Sequence, residues 1–344
     1  MNRIIVEPRE HVFETILGQD SAKRLLRTMI ASNRLPRALL VHGRPGVGKR
    51  SLAYALAKLV NAFPEGERAD CRSAACRKIA RGVYIDLIEI APSGPGGQIR
   101  VESAHEAGAR LATAPIEGQR KVLLVLDSHR MNVATANALL KTIEEPPSYA
   151  LIILVTDRPG MLLPTIRSRA TPVRCCETPC ETLAAWLLER LAQLGGDRER
   201  ARFVAALAEG RVGRALELIA TGLLENRNDS LQALVDFHRE GYRAFMITAY
   251  RLSKGEAGLA GALSLLFSWY RDLLVNRVAP TATELLFNKD QLERLRAMAS
   301  RFTLEGLVEA LERIARRFDL ADRIAIPQLV LESLLVEVGM ATKC

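Results

Sequence analysis

Two stretches of this sequence carry residue types spaced for chemistry on a polyphosphate. The first is Gly43-Arg44-Pro45-Gly46-Val47-Gly48-Lys49-Arg50-Ser51. Glycines at 43, 46 and 48 let backbone N–H groups point inward and wrap phosphate oxygens, and Lys49 has the reach to meet the outer ones. The second is Lys121-Val122-Leu123-Leu124-Val125-Leu126-Asp127, an apolar run that ends in a carboxylate. An aspartate at the carboxyl end of such a strand supports Mg²⁺ in nucleotide hydrolases. Taken alone, Asp127 also fits a plain strand-end cap; with the upstream loop it reads as a nucleotide-site residue. Thr156 ends a third apolar run, Leu151 to Val155, and stands where a γ-phosphate is sensed or a strand is simply capped.

Two positions depart from what hydrolysis needs. A hydroxyl directly after the lysine holds Mg²⁺, and here that position is Arg50, with Ser51 one residue late. One residue of helix is about 100° of rotation, so Ser51 does not reach the same metal. A carboxylate directly after the strand-end Asp would activate water, and here Ser128 stands there. A serine hydroxyl is no base at neutral pH.

These residues need a scaffold, and the periodicity supplies one. Ala38 to Val41 reads as a buried strand and Leu52 to Val60 as a helix, so the glycine loop sits between strand and helix. Tyr84 to Ile90 alternates like a strand, and helices follow over Glu102–Ala112 and Asn132–Glu145, the latter stopped by Pro146-Pro147. Upstream, Pro8-Arg9-Glu10 opens a helical entry, and Asp20 or Ser21 caps a helix through Ile30. Residues 61–81 read as polar and irregular, and Ser93-Gly94-Pro95-Gly96-Gly97 as a flexible loop. Near-continuous apolar strands alternating with helices predict an α/β core, a parallel sheet covered by helices on both faces. From Cys180 onward the pattern is all helical: Thr182–Leu194, Glu199–Glu209, Ala215–Leu223, Leu259–Val275 and Leu304–Phe318. Gly210-Arg211-Val212-Gly213-Arg214 reads as a turn and Glu225 to Asp229 as a linker.

A chain of 344 residues exceeds one ordinary core, so two or three domains are expected. Apolar and charged fractions of 49% and 25% are those of a globular protein in water. No window reaches the apolar length of a membrane span, and Met1 to Glu7 lacks a signal-peptide core, so a cytoplasmic location and no membrane partner are expected. Six cysteines, including the adjacent Cys175 and Cys176, do not form a disulfide framework and are expected as thiols. A net charge of +9 favours an anionic partner such as nucleic acid. An arginine-rich coding bias would give the same excess.

The blocks now in hand resemble the bacterial DNA polymerase III clamp loaders of the AAA+ class. They are Gly18-Gln19, Arg34-Leu35-Pro36-Arg37-Ala38, the loop Gly43 to Ser51, Asp127 to Asn132, Ala136 to Pro147 and Ser168-Arg169. The most specific is Leu139-Leu140-Lys141-Thr142-Ile143-Glu144-Glu145-Pro146-Pro147. The likeness covers residues 15–175, with weaker support to 220. It implies an AAA+ nucleotide-binding-like core over 1–176, a small helical lid over 177–224 and an all-helical collar over 225–344 that joins subunits into a hetero-pentamer. The implied partners are the motor subunits and delta, the sliding clamp and primed DNA. The defects at Arg50 and Ser128 resemble the family's stator, which does not hydrolyse ATP.

In that family a Ser-Arg-Cys motif sends its arginine into the neighbour's ATP site, where such fingers are worth about 10³–10⁵ in rate. Here the motif is Ser168-Arg169-Ala170, and Arg169 is the catalytic candidate in trans, with Arg167 its competitor. The resemblance makes Gly43, Gly46, Gly48, Lys49, Ser51, Asp127, Thr156 and the lid's Arg214 a degenerate nucleotide site. No cofactor is required, although ATP or ADP bound without turnover is compatible with the loop. The family's zinc module has four cysteines. Here Cys71 and Cys76 remain, while Asp70 and Ser73 stand in place of the others, so no zinc is expected. The helix from Asn132, or Lys141 on it, is a candidate DNA contact. Two further readings stay open: an ATP-hydrolysing motor subunit, and a stand-alone module whose loop cradles an anion.

Overall fold

Alternation along each strand decides which face of the sheet a side chain serves. In β1 (Ala38–His42), Leu39 and Val41 point to one side and Leu40 to the other, all buried. The same division runs through β3 (Lys121–Val125) and β4 (Ala150–Thr156), in which every residue is buried. Side chains with no exposed face need cover on both sides, which is the setting of a parallel sheet. The computed structural model of the chain describes residues 12–62, 73–93, 97–191, 197–220, 227–240, 242–254, 258–318 and 327–341. The expectations for Met1 to Glu7, Pro8 to Glu10, Asp70, Cys71, Gly94 to Gly96, Ala192 to Leu194, Thr221 to Leu223 and Glu225-Asn226 fall outside them.

Two compact units are formed, Met1–Thr178 and Pro179–Cys344. The first holds five parallel strands in the order β2-β3-β4-β1-β5, with β2 at Leu87–Ile90 and β5 at Thr171–Arg174. On one face pack α1 (Asp20–Ala31), α2 (Lys49–Ala62) and α3 (Ala74–Arg81), through Leu26, Leu52, Leu56 and Cys76. On the other pack α4 (Val101–Leu111), α5 (Val133–Glu144) and α6 (Pro164–Arg169), through Leu111, Leu139, Ile143 and Ile166. The expected α/β core is present. Because the strands are parallel, their carboxyl ends share one edge, where an open sheet of this kind binds ligands.

Several boundaries differ from the expectation. Thr171-Pro172-Val173-Arg174 forms the edge strand β5, where only Val173 is buried. Proline is tolerated there because an edge strand has ladder positions that need no N–H donor. Strand β2 is shorter than Tyr84–Ile90, because Asp86 turns inward and its carboxylate accepts from the backbone N–H groups of Ile116, Glu117 and Gly118. Within the stretch read as irregular, Ala74–Arg81 is a helix. The Ser73 hydroxyl caps it by accepting from Cys76 N, and Gly82 ends it at φ 73°. Gln19, not Asp20 or Ser21, holds the N-cap position of α1, in the left-handed region at φ 62° and with no side-chain capping bond.

The described residues of the second unit contain helices and no strand. They are α7 (Cys180–Leu191), α8 (Arg198–Leu207), α9 (Val212–Ala220), α10 (Arg227–Glu240), α11 (Tyr242–Lys254), α12 (Gly258–Val278), α13 (Leu292–Ala299), α14 (Leu304–Phe318) and α15 (Pro327–Ala341). Helix α9 begins inside the stretch expected as a turn, and α10 inside the expected linker. Buried Trp269 and Tyr270 centre the core of this unit. Arg227 is stapled to Asp290 by two 2.7 Å bonds and lies 4.2 Å from the Phe203 ring.

Candidate functional site

The loop Gly43–Gly48 leaves β1 and enters α2 at Lys49. Gly43 passes so close to β5's continuation that a Cβ there would meet the Cys175 carbonyl oxygen at 2.3 Å. Gly48 has φ 102° and nothing within 4 Å of an added Cβ, an open backbone cradle where a phosphate could sit. Lys49 is buried, and its ammonium donates to the carbonyls of Gly43 and Arg44, both at 2.8 Å. Burial pulls it below the ordinary lysine value, against the pull of the Asp157, Cys175 and Asp127 charges. The lysine is thus aimed at its own loop, and an incoming phosphate would replace those two carbonyls.

One residue without an assigned role holds this loop in place. The buried amide of Gln19 donates to the Val47 carbonyl at 2.9 Å and to the Cys176 carbonyl at 2.6 Å, and its oxygen accepts from Cys176 N at 3.0 Å. The Gly18-Gln19 pair is therefore a clamp between the phosphate loop and the segment after β5. Gly18 is required beside it: φ is +68°, and a Cβ would stand 2.4 Å from Thr178 Oγ1.

The hydrolytic positions are otherwise engaged. Arg50, in the metal-ligand position, places its guanidinium 3.1 Å from Glu89 Oε1 of β2. Tyr54, one turn along α2, bonds the other oxygen of Glu89, and its ring lies 5.7 Å from the Arg50 guanidinium carbon. Ser51 is exposed on the first turn of α2. Asp127 is exposed at the end of β3, with φ 47°. This left-handed turn, which Asp adopts more readily than most residues, swings Ser128 into the protein. Ser128 is fully buried and its hydroxyl donates to the Val155 carbonyl at 3.1 Å.

Thr156 is buried at the end of β4, paired in register with His42. Its hydroxyl accepts from Arg158 N at 3.0 Å and lies 3.1 Å from His129 Nδ1. The same His129 nitrogen is 3.1 Å from the Asp157 carboxylate. His129 and Asp157 escaped the sequence reading. The available signal was that each directly follows a polar position at the carboxyl end of an apolar strand. Beside them an open cleft of about 430 Å³ is lined by Asp127, His129, Asn132, Asp157 and Arg158 among others.

Arg169 ends α6, exposed on the surface. Its guanidinium is 3.0 Å from Glu144 of α5 and donates to the Thr165 carbonyl at 3.1 Å. Arg167 is exposed on the same short helix. Lys141 is exposed on α5, and Asn132 caps that helix by accepting from Thr135 N. Arg214, in the second unit, donates to Ser264 Oγ at 2.8 Å and pairs with Glu217.

The loop residues suit a polyphosphate: a glycine cradle, a lysine with exchangeable partners, and the first turn of a helix. They do not suit a divalent cation, since the ligand position carries a guanidinium. Among the described residues no group of three or more His, Cys, Asp and Glu could hold a metal. Cys76, Cys175, Cys176 and Cys180 are free thiols, and burial pushes the Cys175 thiol up to about 12. No described helix is long and apolar enough to cross a membrane.

A phosphate loop, a strand-end aspartate and a five-stranded parallel sheet ahead of a helical region define an AAA+ protein. The family model described as "DNA polymerase III, delta subunit" matches residues 18–178. The delta' subunit of Pseudomonas aeruginosa is 31% identical over 237 residues, spanning 68% of this chain and 69% of that one. The tau/gamma subunit of Haemophilus influenzae is 30% identical over 260 residues, 72% of this chain but 37% of its own length. The chain thus spans well under half of that tau/gamma relative. A solved structure of a DNA polymerase III gamma subunit-related protein from Thermotoga maritima aligns over 93% of this chain and 99% of that one, at 21% identity and a TM-score of 0.42. The chain belongs to the DNA polymerase III clamp-loader family.

Proposed function

We propose that this chain is the delta-prime-type stator of a clamp loader: it does not hydrolyse ATP, and it lends an arginine to a neighbouring subunit that does. The observation that carries the reading is the burial of Ser128, whose hydroxyl is committed to the Val155 carbonyl. No group at that position activates water, and Arg50 stands where the metal's hydroxyl ligand belongs. Metal positioning and general-base catalysis are each commonly worth factors of ten to thousands, and losing both silences the site.

In this reading the first unit is a nucleotide-binding-like core. The second comprises a lid to residue 224 and a collar from 225 that assembles the chain with motor subunits and delta. The complex loads a sliding clamp onto primed DNA. Arg169 sits on the surface, held by the exposed Glu144 carboxylate, the Thr165 carbonyl and, at 3.4 Å, the Ser168 hydroxyl, all exposed contacts it can exchange on entering a partner's pocket. There its planar cation would stabilise charge on the transferred phosphoryl group.

The test is reconstitution with motor subunits and measurement of primed-DNA-dependent ATPase. Arg169→Ala should cripple turnover and Lys49→Ala should leave it nearly unchanged. Full activity of the Arg169→Ala complex would sink the stator reading. The likeness to tau/gamma favours a second reading, a motor subunit. ATP turnover by the isolated chain would establish that one instead.

A further inference from the structure

We infer that the loop after β1 binds a nucleoside polyphosphate without a divalent cation, Arg50 taking the metal's place under the hold of Glu89. The inference rests on the loop being a retained, non-hydrolysing nucleotide site. Two observations carry it. The cradle is intact: Gly48 opens onto free space, and Lys49 is buried against carbonyls that a phosphate can replace. And the residue that displaces the metal ligand is itself a positioned cation.

The Arg50 guanidinium is bonded to one oxygen of Glu89, while Tyr54 bonds the other and presents its ring to the guanidinium. A carboxylate and an aromatic face together fix its direction. The charge of Asp127, the strand-end carboxylate that would support Mg²⁺, acts weakly on both Arg50 and Lys49.

The charge balance follows. In a metal-dependent site Mg²⁺ offsets both the strand-end carboxylate and the phosphate oxygens. Here the guanidinium does so with donors already matched to phosphate geometry, and it cannot lose its charge. A nucleotide carrying Mg²⁺ would have to push Arg50 off Glu89, so the free nucleotide is the better ligand.

The experiment is calorimetric titration of the full chain with ADP, in EDTA and in millimolar MgCl₂. Binding is expected in EDTA, with affinity in MgCl₂ equal or weaker. Lys49→Ala should abolish it, which assigns the heat to this loop. Arg50→Ser should weaken binding in EDTA about tenfold or more, the scale of a lost charge-assisted contact, and should recover with MgCl₂. Its denaturant midpoint should stay near wild type, because the Arg50–Glu89 pair is exposed. Absence of ADP binding in both buffers, or binding only with MgCl₂, overturns the inference. Either result leaves the stator reading standing if Arg169→Ala still cripples the reconstituted ATPase.

Discussion

Arg169 of α6 and Glu144 of α5 form a 3.0 Å ion pair, and both side chains are 41% exposed. An exposed pair of this kind is worth about 0–1 kcal/mol. The pairing orients the arginine without trapping it. Arg169→Ala should therefore shift the denaturation midpoint of the isolated chain by no more than about 0.5 kcal/mol. In the reconstituted loader it should lower ATP turnover by about 10³-fold or more. Glu144→Gln, which frees the arginine, should leave turnover at or above wild type. A loss with Glu144→Gln as large as that with Arg169→Ala would mean that the pair, not the finger, matters.

Hydrolysis should not return on rebuilding the missing base. Ser128 has no exposure, and its side chain points at the Val155 carbonyl. A carboxylate placed there is buried beside an oxygen, at a cost of about 3 kcal/mol or more. The Arg50→Ser, Ser128→Glu double variant should lose that much stability and show no ATPase above background. Measurable turnover by that variant would show that the backbone can relax and expose position 128.

The alternation of types in the sequence made the wound α/β core legible, because β1, β3 and β4 are apolar on both faces and little else folds such runs. Strand β5 was not legible. One buried Val beside Pro172 carries no strand signal until β1 is there to pair with it. Helix α3 had its signals, a capping Ser73 and a terminal Gly82, but only eight residues between them. At the site, residue types revealed what Arg50 and Ser128 cannot do. They did not reveal where these side chains go, because the direction of Ser128 is decided by the left-handed backbone of Asp127. Gln19 was visible as a motif and silent as to role, since its partners lie 28 and 157 residues away.

The Gln19 clamp gives a stability prediction for the first unit. Gln19→Ala removes the partner of the buried Val47 carbonyl and of the part-buried backbone N–H and C=O of Cys176, itself an exposed residue. Leaving buried polar groups unsatisfied costs about 1–3 kcal/mol each, less what water recovers. A loss of about 2–3 kcal/mol in urea unfolding is expected. ADP affinity should fall with it, because the loop loses its tether. Unchanged unfolding with Gln19→Ala would mean that water reaches all three groups.

The second unit carries its own pH dependence. His238 Nε2 lies 2.7 Å from the Tyr270 hydroxyl, among the rings of Phe237 and Phe302. Burial, with the Arg301 charge, pushes its pKa from 6.5 down to about 4. The unfolded chain therefore takes up this proton near 6.5 and the folded chain near 4. Between those values the unfolded state binds more protons, so stability falls as pH is lowered through the window and is fully present above it. The loss should reach at most about 3 kcal/mol by about pH 4, discounted for the ring's partial exposure. His238→Gln, which retains a polar partner for Tyr270, should flatten the wild-type slope across that window in urea unfolding followed by circular dichroism. Equal slopes for the two proteins would place the acid sensitivity elsewhere.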